Sequence, residues 1–318
     1  MIRPAIPLLA AMLAAAPFAA PAETPVRVLA TIGQIGDLAA EIAGDCAEVE
    51  WMMGEGVDPH LYRATPADVR ALDRADLVLY LGLGLEGQLA DVLDRFADRK
   101  PVSAVGGAAF DPAELIREDG AIDPHLWMAP ALWARIVPPL ADALAEAAPG
   151  CAGIAANAAT LAGQLAALDR WAADSIVTIP EERRILVTAH DAFEYFGRAY
   201  GLELVAIQGL STESEASVAD IADTARLVAE AGVPAVFVES TINPRTVEAM
   251  IAAARDRGHE VGIGGELYSD AMGTAGTPEG TYIGMIRANI LTITGALGGT
   301  PPPLPEDLAP WAARHGLD

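Results

Sequence analysis

The chain has 318 residues, enough for two domains of ordinary size, and 52% of them are hydrophobic, which excludes a disordered or collagen-like chain. Asp and Glu number 44 against 20 Lys and Arg, so the formal net charge is −24; phosphate backbones and anionic lipid surfaces are repelled, and nucleic acid is not an expected partner. Lys100 is the only lysine and reads as compositional bias with no mechanism attached.

The first residues set the compartment. Arg3 precedes an apolar stretch from Ala5 to Ala16, and small residues run from there to Ala20-Pro21-Ala22, just before Glu23. This pattern predicts a secretory signal peptide over residues 1–22, cleaved after Ala22. A membrane anchor is the rival, but the apolar run is shorter than the roughly 20 residues a spanning helix needs, and Pro17 and Pro21 interrupt it. With no Cys near the cleavage point, no lipid anchor is expected. The mature protein is expected to be soluble, exported and monomeric.

After Pro25, short β-branched runs alternate with longer amphipathic stretches, the pattern of βα units on mostly parallel sheets. Strands are predicted at Val26 to Ala30, Val49 to Met53, Leu77 to Leu81 and Pro101 to Ala104. A second set is predicted at Ile185 to Thr188, Leu204 to Ile207, Ala235 to Val238 and Val261 to Ile263. The two sets read as two α/β lobes, residues 23–150 and 179–318. Between them Ile154, Ala158, Leu161, Leu165, Leu168 and Ala172 mark one helical stripe. That linker, residues 151–178, predicts a rigid strut of about 30 Å. Ser217 and Asp220 fit a capping box ahead of a further helix.

Five histidines are present, and two share a context: Gly56-Val57-Asp58-Pro59-His60-Leu61-Tyr62 and Ala121-Ile122-Asp123-Pro124-His125-Leu126-Trp127. The proline fixes its own backbone and holds the preceding Asp extended, so each His projects from a defined turn. The second lobe offers His190 at the end of one predicted strand and Asp270 past another. Open α/β sheets collect ligands outside the carboxyl ends of their strands, which is where all four residues are expected. Three imidazoles and a carboxylate form a closed set for Zn²⁺, with Mn²⁺ admitted by the hard oxygen.

Taken singly, each residue has a plainer reading: a lone His is more often packed or exposed, and Asp270 alone is an ordinary loop carboxylate. Asp58 and Asp123 read as turn stabilisers that could also orient the neighbouring ring. His259 reads as a turn residue, His315 as part of a solvated tail, and Glu213 and Glu215 as solvated charges. Gly82-Leu83-Gly84-Leu85-Glu86-Gly87 fits a dinucleotide spacing but reads as a strand-to-helix turn, because no acidic ribose partner follows. His-Glu-x-x-His and Gly-x-Ser-x-Gly are absent from the sequence. Cys46 and Cys151 in an exported chain predict a disulfide at the end of the first lobe remote from the metal.

Gly-Val-Asp-Pro-His60, Asp-Pro-His125-Leu-Trp, Thr-Ala-His190-Asp-Ala-Phe, Glu239-Ser240-Thr241-Ile242-Asn243-Pro244 and Gly-Gly-Glu-Leu-Tyr-Ser-Asp270-Ala-Met-Gly together resemble the periplasmic solute-binding proteins of zinc and manganese ABC importers. The resemblance covers essentially the whole mature chain. It implies two similar lobes joined by one long helix, Zn²⁺ or Mn²⁺ carried between them at His60, His125, His190 and Asp270, a membrane permease as partner, and no catalysis. The segment Phe110 to Ile122 has no His, where many zinc-dedicated members carry a His-rich loop. Members with Glu at the position of His190 tend to be manganese importers, so the site here is expected to prefer Zn²⁺ in affinity. The competing readings are a secreted metal-dependent hydrolase, with His60, His125 and His190 as ligands and Asp270 as base, and a metal-binding adhesin or buffer.

Overall fold

The structure, a computed structural model, describes residues 25–118 and 120–317. The expected signal peptide and its cleavage point lie outside the described residues. The β-branched runs become parallel strands, each followed by a helix that covers the sheet. The first lobe runs β1 (Val26–Ile32), α1 (Gly33–Ala43), β2 (Ala47–Met53), α2 (Pro66–Arg74), β3 (Leu77–Tyr80), α3 (Ala90–Ala97), β4 (Val102–Ala104) and α4 (Val105–Ala109). Its four strands form one parallel sheet in the order β2-β1-β3-β4. A two-residue antiparallel hairpin follows, β5 (Arg117–Glu118) with β6 (Ala121–Ile122), too short to register as strands in the sequence pattern. Helices α5 (Pro130–Trp133) and α6 (Val137–Ala147) close the lobe.

Helix α7 (Ile154–Ile176) is unbroken, and the six residues of the predicted stripe are buried along it. The second lobe then runs β7 (Ile185–His190), α8 (Glu194–Tyr200), β8 (Glu203–Gln208), α9 (Val218–Ala231), β9 (Ala235–Glu239), α10 (Arg245–Arg255), β10 (Gly262–Leu267), α11 (Tyr282–Ala296) and α12 (Ala309–Arg314). β7 pairs in parallel with β8, and β9 with β10. With β7 lying beside β9, the lateral order β8-β7-β9-β10 repeats that of the first lobe. The capping box of Ser217 and Asp220 is formed at the start of α9.

All eight predicted strands are present, and one extends much further than its pattern suggested. Gly264-Gly265-Glu266, beyond the predicted strand end at Ile263, belongs to β10, which carries a bulge between Ile263 and Gly265. Glycine weakens a strand pattern, but here a Cβ at Gly264 would lie 2.9 Å from the Phe237 ring of β9, so close strand approach excludes a side chain.

The main hydrophobic core crosses the lobe boundary. Leu161, Leu165, Leu168 and Trp171 of α7 join it with Ile35 and Ile42 of α1 and Met285, Ile286 and Ile290 of α11. Each such side chain contributes about 1.5–3 kcal/mol on burial. α11, late in the chain, therefore packs on α1 and α7 and ties the two lobes along one edge. A smaller core around Val187, Ile207, Val228, Val236 and Met250 serves the second sheet alone.

Cys46 and Cys151 are disulfide-bonded, with Cα atoms 6.0 Å apart. The bond pins the end of α1 to the segment leading into α7, where Asn157 also donates to the Ile42 carbonyl at 3.1 Å. Closing a loop of 105 residues contributes about 4–5 kcal/mol on chain-entropy grounds. Lys100 has a definite job, contrary to its reading from composition. Its ammonium donates to the carbonyls of Leu72, Asp73 and Ala75 at 2.5, 2.7 and 2.9 Å and so closes the C-terminus of α2. His315 is not simply a solvated tail residue: its ring lies 5.1 Å from that of Trp311. His259 sits in the turn after α10, as predicted, facing the Val233 carbonyl at 2.8 Å.

Candidate metal centre

Three loops and one strand end bring four side chains to one point between the lobes. His60 stands in the turn after β2, where Asp58 accepts from its backbone N–H at 2.8 Å. His125 ends the matching turn, and Asp123 accepts both from its backbone N–H at 2.9 Å and from ring Nδ1 at 2.8 Å. Asp123 thus performs both roles allowed for it, whereas Asp58 braces the turn without orienting the His60 ring. His190 is the last residue of β7, and Asp270 follows β10. The Asp270 loop is closed by Gly273, whose N–H donates to Glu279 O at 2.8 Å and where a Cβ would lie 2.7 Å from that of Glu279.

The facing atoms are close. His60 Nε2 lies 3.2 Å from His125 Nε2, Asp270 Oδ1 lies 3.3 Å from His125 Nε2, and Asp270 Oδ2 lies 3.3 Å from His190 Nε2 and 3.9 Å from His60 Nε2. All four donors fall within 4.8 Å of one another. A tetrahedral ion held at 2.0–2.2 Å spaces its donors by about 3.3–3.6 Å, so the set fits a first-row divalent ion. His190 Nε2 and both Asp270 oxygens are buried with no hydrogen-bond partner among the described residues. Buried polar atoms rarely stay unpaired, and these three point at the same volume.

The surroundings set the protons. Burial opposes charge on His125, but the hydrogen bond to Asp123 and the Asp270 carboxylate outweigh it and push the ring up to about 9. His190 is likewise opposed by burial and carried well above its ordinary value by Glu239 and Asp270. Asp270 is held well below the usual carboxylate range, because His190 and His125 overcome its burial. His60 goes the other way, to about 4, since burial is reinforced by the two neighbouring imidazoles against Asp270.

Several participants were not singled out from sequence. Glu239, quoted above only as part of a motif, accepts from the His190 backbone N–H at 2.9 Å and from ring Nδ1 at 2.6 Å. Its signal was an acidic residue ending the apolar strand β9. Gln34, at the start of α1, donates to the Asp270 carbonyl at 2.9 Å, and Trp127 Nε1 donates to the Ser269 carbonyl at 2.8 Å, so the Asp270 loop is held by the first lobe. Glu86 stands just before the helical turn Gly87–Leu89 that runs into α3. It is buried, and accepts from Leu81 N–H at 2.6 Å, Gly82 N–H at 3.0 Å and the Thr31 hydroxyl at 2.9 Å, which fixes the turn beside His60. Leu83 takes a positive φ of 58° within that turn. Glu213 and Glu215 are exposed, as predicted.

The ZnuA family, described as the periplasmic component A of the zinc-uptake complex, matches residues 28–296. The chain belongs to this family. It is 44% identical over 279 residues to the manganese-binding lipoprotein MntA of Bacillus subtilis (strain 168), covering 87% of this chain and 91% of that protein. It is also 44% identical over 271 residues to the zinc-binding protein TroA of Treponema pallidum (strain Nichols), covering 85% and 88%. The solved structure of periplasmic zinc-binding TroA from Treponema pallidum superposes with a TM-score of 0.84 at 43% identity, over 86% of this chain and 99% of that one. The two-lobe α/β architecture is therefore that of the ZnuA family. Equal identity to a manganese-binding and a zinc-binding relative leaves the ion to the chemistry of the site. Membership also places the protein outside the cytoplasm. No helix among the described residues is long and apolar enough to cross a membrane.

Proposed function

We propose that this ZnuA-family protein captures one Zn²⁺ or Mn²⁺ between its lobes at His60, His125, His190 and Asp270 and delivers it to the permease of an ABC importer. The observation that carries the ligand assignment is the convergence of four donors from three loops and a strand end, three of their atoms buried and unpaired. The working division is a first lobe over 23–150, a linker over 151–178 and a second lobe over 179–318, the mature chain beginning after Ala22 and acting as a monomer in the periplasm.

The donor set supports capture without catalysis. Four protein donors already suffice for tetrahedral zinc, whereas a catalytic zinc keeps a position for water. A hydrolase using Asp270 as base would need that carboxylate aimed at water, yet its oxygens face His125 and His190 at 3.3 Å. The test is the metal content of protein taken from the periplasm, then competition titrations with Zn²⁺ and Mn²⁺. One ion per chain, with Zn²⁺ the tighter, is expected. Failure of both ions to bind at one-to-one stoichiometry overturns the proposal. Normal metal uptake after deletion of the gene would favour a buffering or adhesive role over transport.

A further inference from the structure

The four proposed ligands are not held equally. His125 is fixed through ring Nδ1 by Asp123, whose own carbonyl accepts from the Tyr195 hydroxyl of the second lobe at 3.0 Å. His190 is fixed through Nδ1 by Glu239. Asp270 is fixed by Gln34 and by the anchoring of Ser269 to Trp127. Nδ1 of His60 has no such partner among the described residues, and the His60 side chain, 7% exposed, is the least enclosed of the four. What orders His60 is its backbone turn, braced by Oδ1 of Asp58.

The second oxygen of that same carboxylate crosses to the other lobe. Thr212, in the loop between β8 and α9, donates its hydroxyl to Asp58 Oδ2 at 2.5 Å, and the residue is buried although both its sequence neighbours are exposed. The loop also faces a cavity of about 360 Å³ with walls from both lobes. Leu210, Ser211 and Glu213 line it on one side, Leu83 and Gly84 on the other, and His60 is the only proposed ligand that borders it. Elsewhere between the lobes, α11 and α7 are joined through a shared core. Opening is therefore cheapest at the cavity, where an ion leaves if the His60 turn parts from the Thr212 loop.

We propose that Thr212 is a positioning residue: its hydroxyl, seated on Asp58, latches the His60 turn to the second lobe and sets how slowly the ion departs. The inference rests on the metal-capture reading above. A hydrogen bond to a carboxylate in a part-buried site is strong enough that its loss should speed release by about tenfold. Capture should change less than release, since an open His60 turn still admits an ion, and affinity differences between related complexes fall mainly in the off-rate.

The test uses the mature protein loaded with Zn²⁺ and mixed rapidly with excess chromogenic chelator, alongside Thr212→Val and Thr212→Ser. Thr212→Val is expected to release Zn²⁺ about ten times faster, and Thr212→Ser, which keeps the hydroxyl, close to the wild-type rate. Adding Thr212→Val to Asp58→Ala should change nothing further, since the shared bond is already gone. In metal-free protein, amide exchange at residues 57–62 should quicken in Thr212→Val while the α7 amides stay protected; that readout does not need the ion. Wild-type release in Thr212→Val, no rescue by Ser, or additive effects with Asp58→Ala would overturn the latch and leave metal capture standing. A wild-type protein that takes up neither Zn²⁺ nor Mn²⁺ would instead overturn the capture reading, and the latch's role in retention with it.

Discussion

Glu239 grips His190 at two points, taking the backbone N–H on Oε1 at 2.9 Å and ring Nδ1 on Oε2 at 2.6 Å. The double contact fixes the position of the strand end and the orientation of the ring together, so that Nε2 faces Asp270 and, once the ring is neutral, presents its lone pair there. Strands β7 and β9 lie side by side, so two chain segments 49 residues apart deliver the pair without any local motif.

Glu239→Gln should disrupt that grip with little effect on folding. The amide can offer an acceptor to only one of the two N–H groups; if its NH₂ faces Nδ1, the ring proton moves to Nε2 and the metal-facing lone pair is lost. Zn²⁺ affinity is expected to fall about 10- to 100-fold. Competition titration checks this, with the urea midpoint of the metal-free protein as the folding control. Unchanged affinity would show that the ring is oriented by packing alone.

The proposed ligands were legible because each announces itself locally: two repeated Asp-Pro-His turns, a His at a strand end, an Asp in a Gly-flanked loop. The strands were legible because buried β-branched runs have few other uses. What supports the ligands was not. Glu239, Gln34 and Thr212 act through partners 49, 236 and 154 residues away, and no periodicity encodes such pairings. The role of Glu86 was hidden for a related reason. An acidic residue after glycines looks solvated until the three donors of Thr31, Leu81 and Gly82 are seen to surround it.

Metal uptake should expel protons. In the metal-free site His125, raised to about 9, and His190, raised well above its ordinary value, both carry a proton at pH 7, while His60, lowered to about 4, does not. An ion needs all three rings neutral, so binding at pH 7 is expected to release about two protons per ion. Affinity should therefore climb steeply as pH rises from 6 to 8. Calorimetry in buffers of different ionisation enthalpy counts the protons, and a count near zero would contradict the charge state described for the free site.

Glu86 should give stability a pH dependence. Burial raises its carboxyl against the opposing bonds from Leu81, Thr31 and Gly82, to about 6 from an ordinary 4.5. The stabilisation linked to protonation is complete below pH 4.5 and is lost as pH rises through 6. Relative to Glu86→Gln, which cannot ionise, the wild type should lose stability across that window. Glu86→Ala strands three buried donors and is expected to cost about 2–4 kcal/mol at pH 7. Urea midpoints between pH 4 and 8 test both statements.

The only lysine of the chain should prove worth more than an ordinary surface charge. Lys100 closes three carbonyls at the end of α2, and no neighbouring side chain shares that task among the described contacts. Lys100→Met keeps most of the stem and removes the donors, at an expected cost of about 1–2 kcal/mol. Zn²⁺ affinity should be unaffected, because α2 contributes no donor to the centre. A midpoint equal to that of the wild type would reduce the contact to a surface arrangement without energetic weight.

The ion preference should depend on residues 190 and 239 as a pair. Imidazole suits four-coordinate Zn²⁺, whereas a carboxylate at position 190 adds a second hard oxygen and favours the higher coordination of Mn²⁺. His190→Glu alone, however, would bring a new carboxylate into the site beside Glu239, which now lies 2.6 Å from the ring nitrogen of His190. Two buried carboxylates at that distance repel, so one must take a proton or move away. The single variant is expected to lower the zinc-to-manganese affinity ratio while weakening both ions. His190→Glu with Glu239→Gln replaces the repulsion by an amide that can donate to the new carboxylate, and Mn²⁺ affinity should recover relative to the single variant. Competition titrations of both ions at one pH, on the wild type and the two variants, measure this directly. If the ratio does not move in either variant, selectivity resides in the closure of the lobes and not in the identity of this ligand.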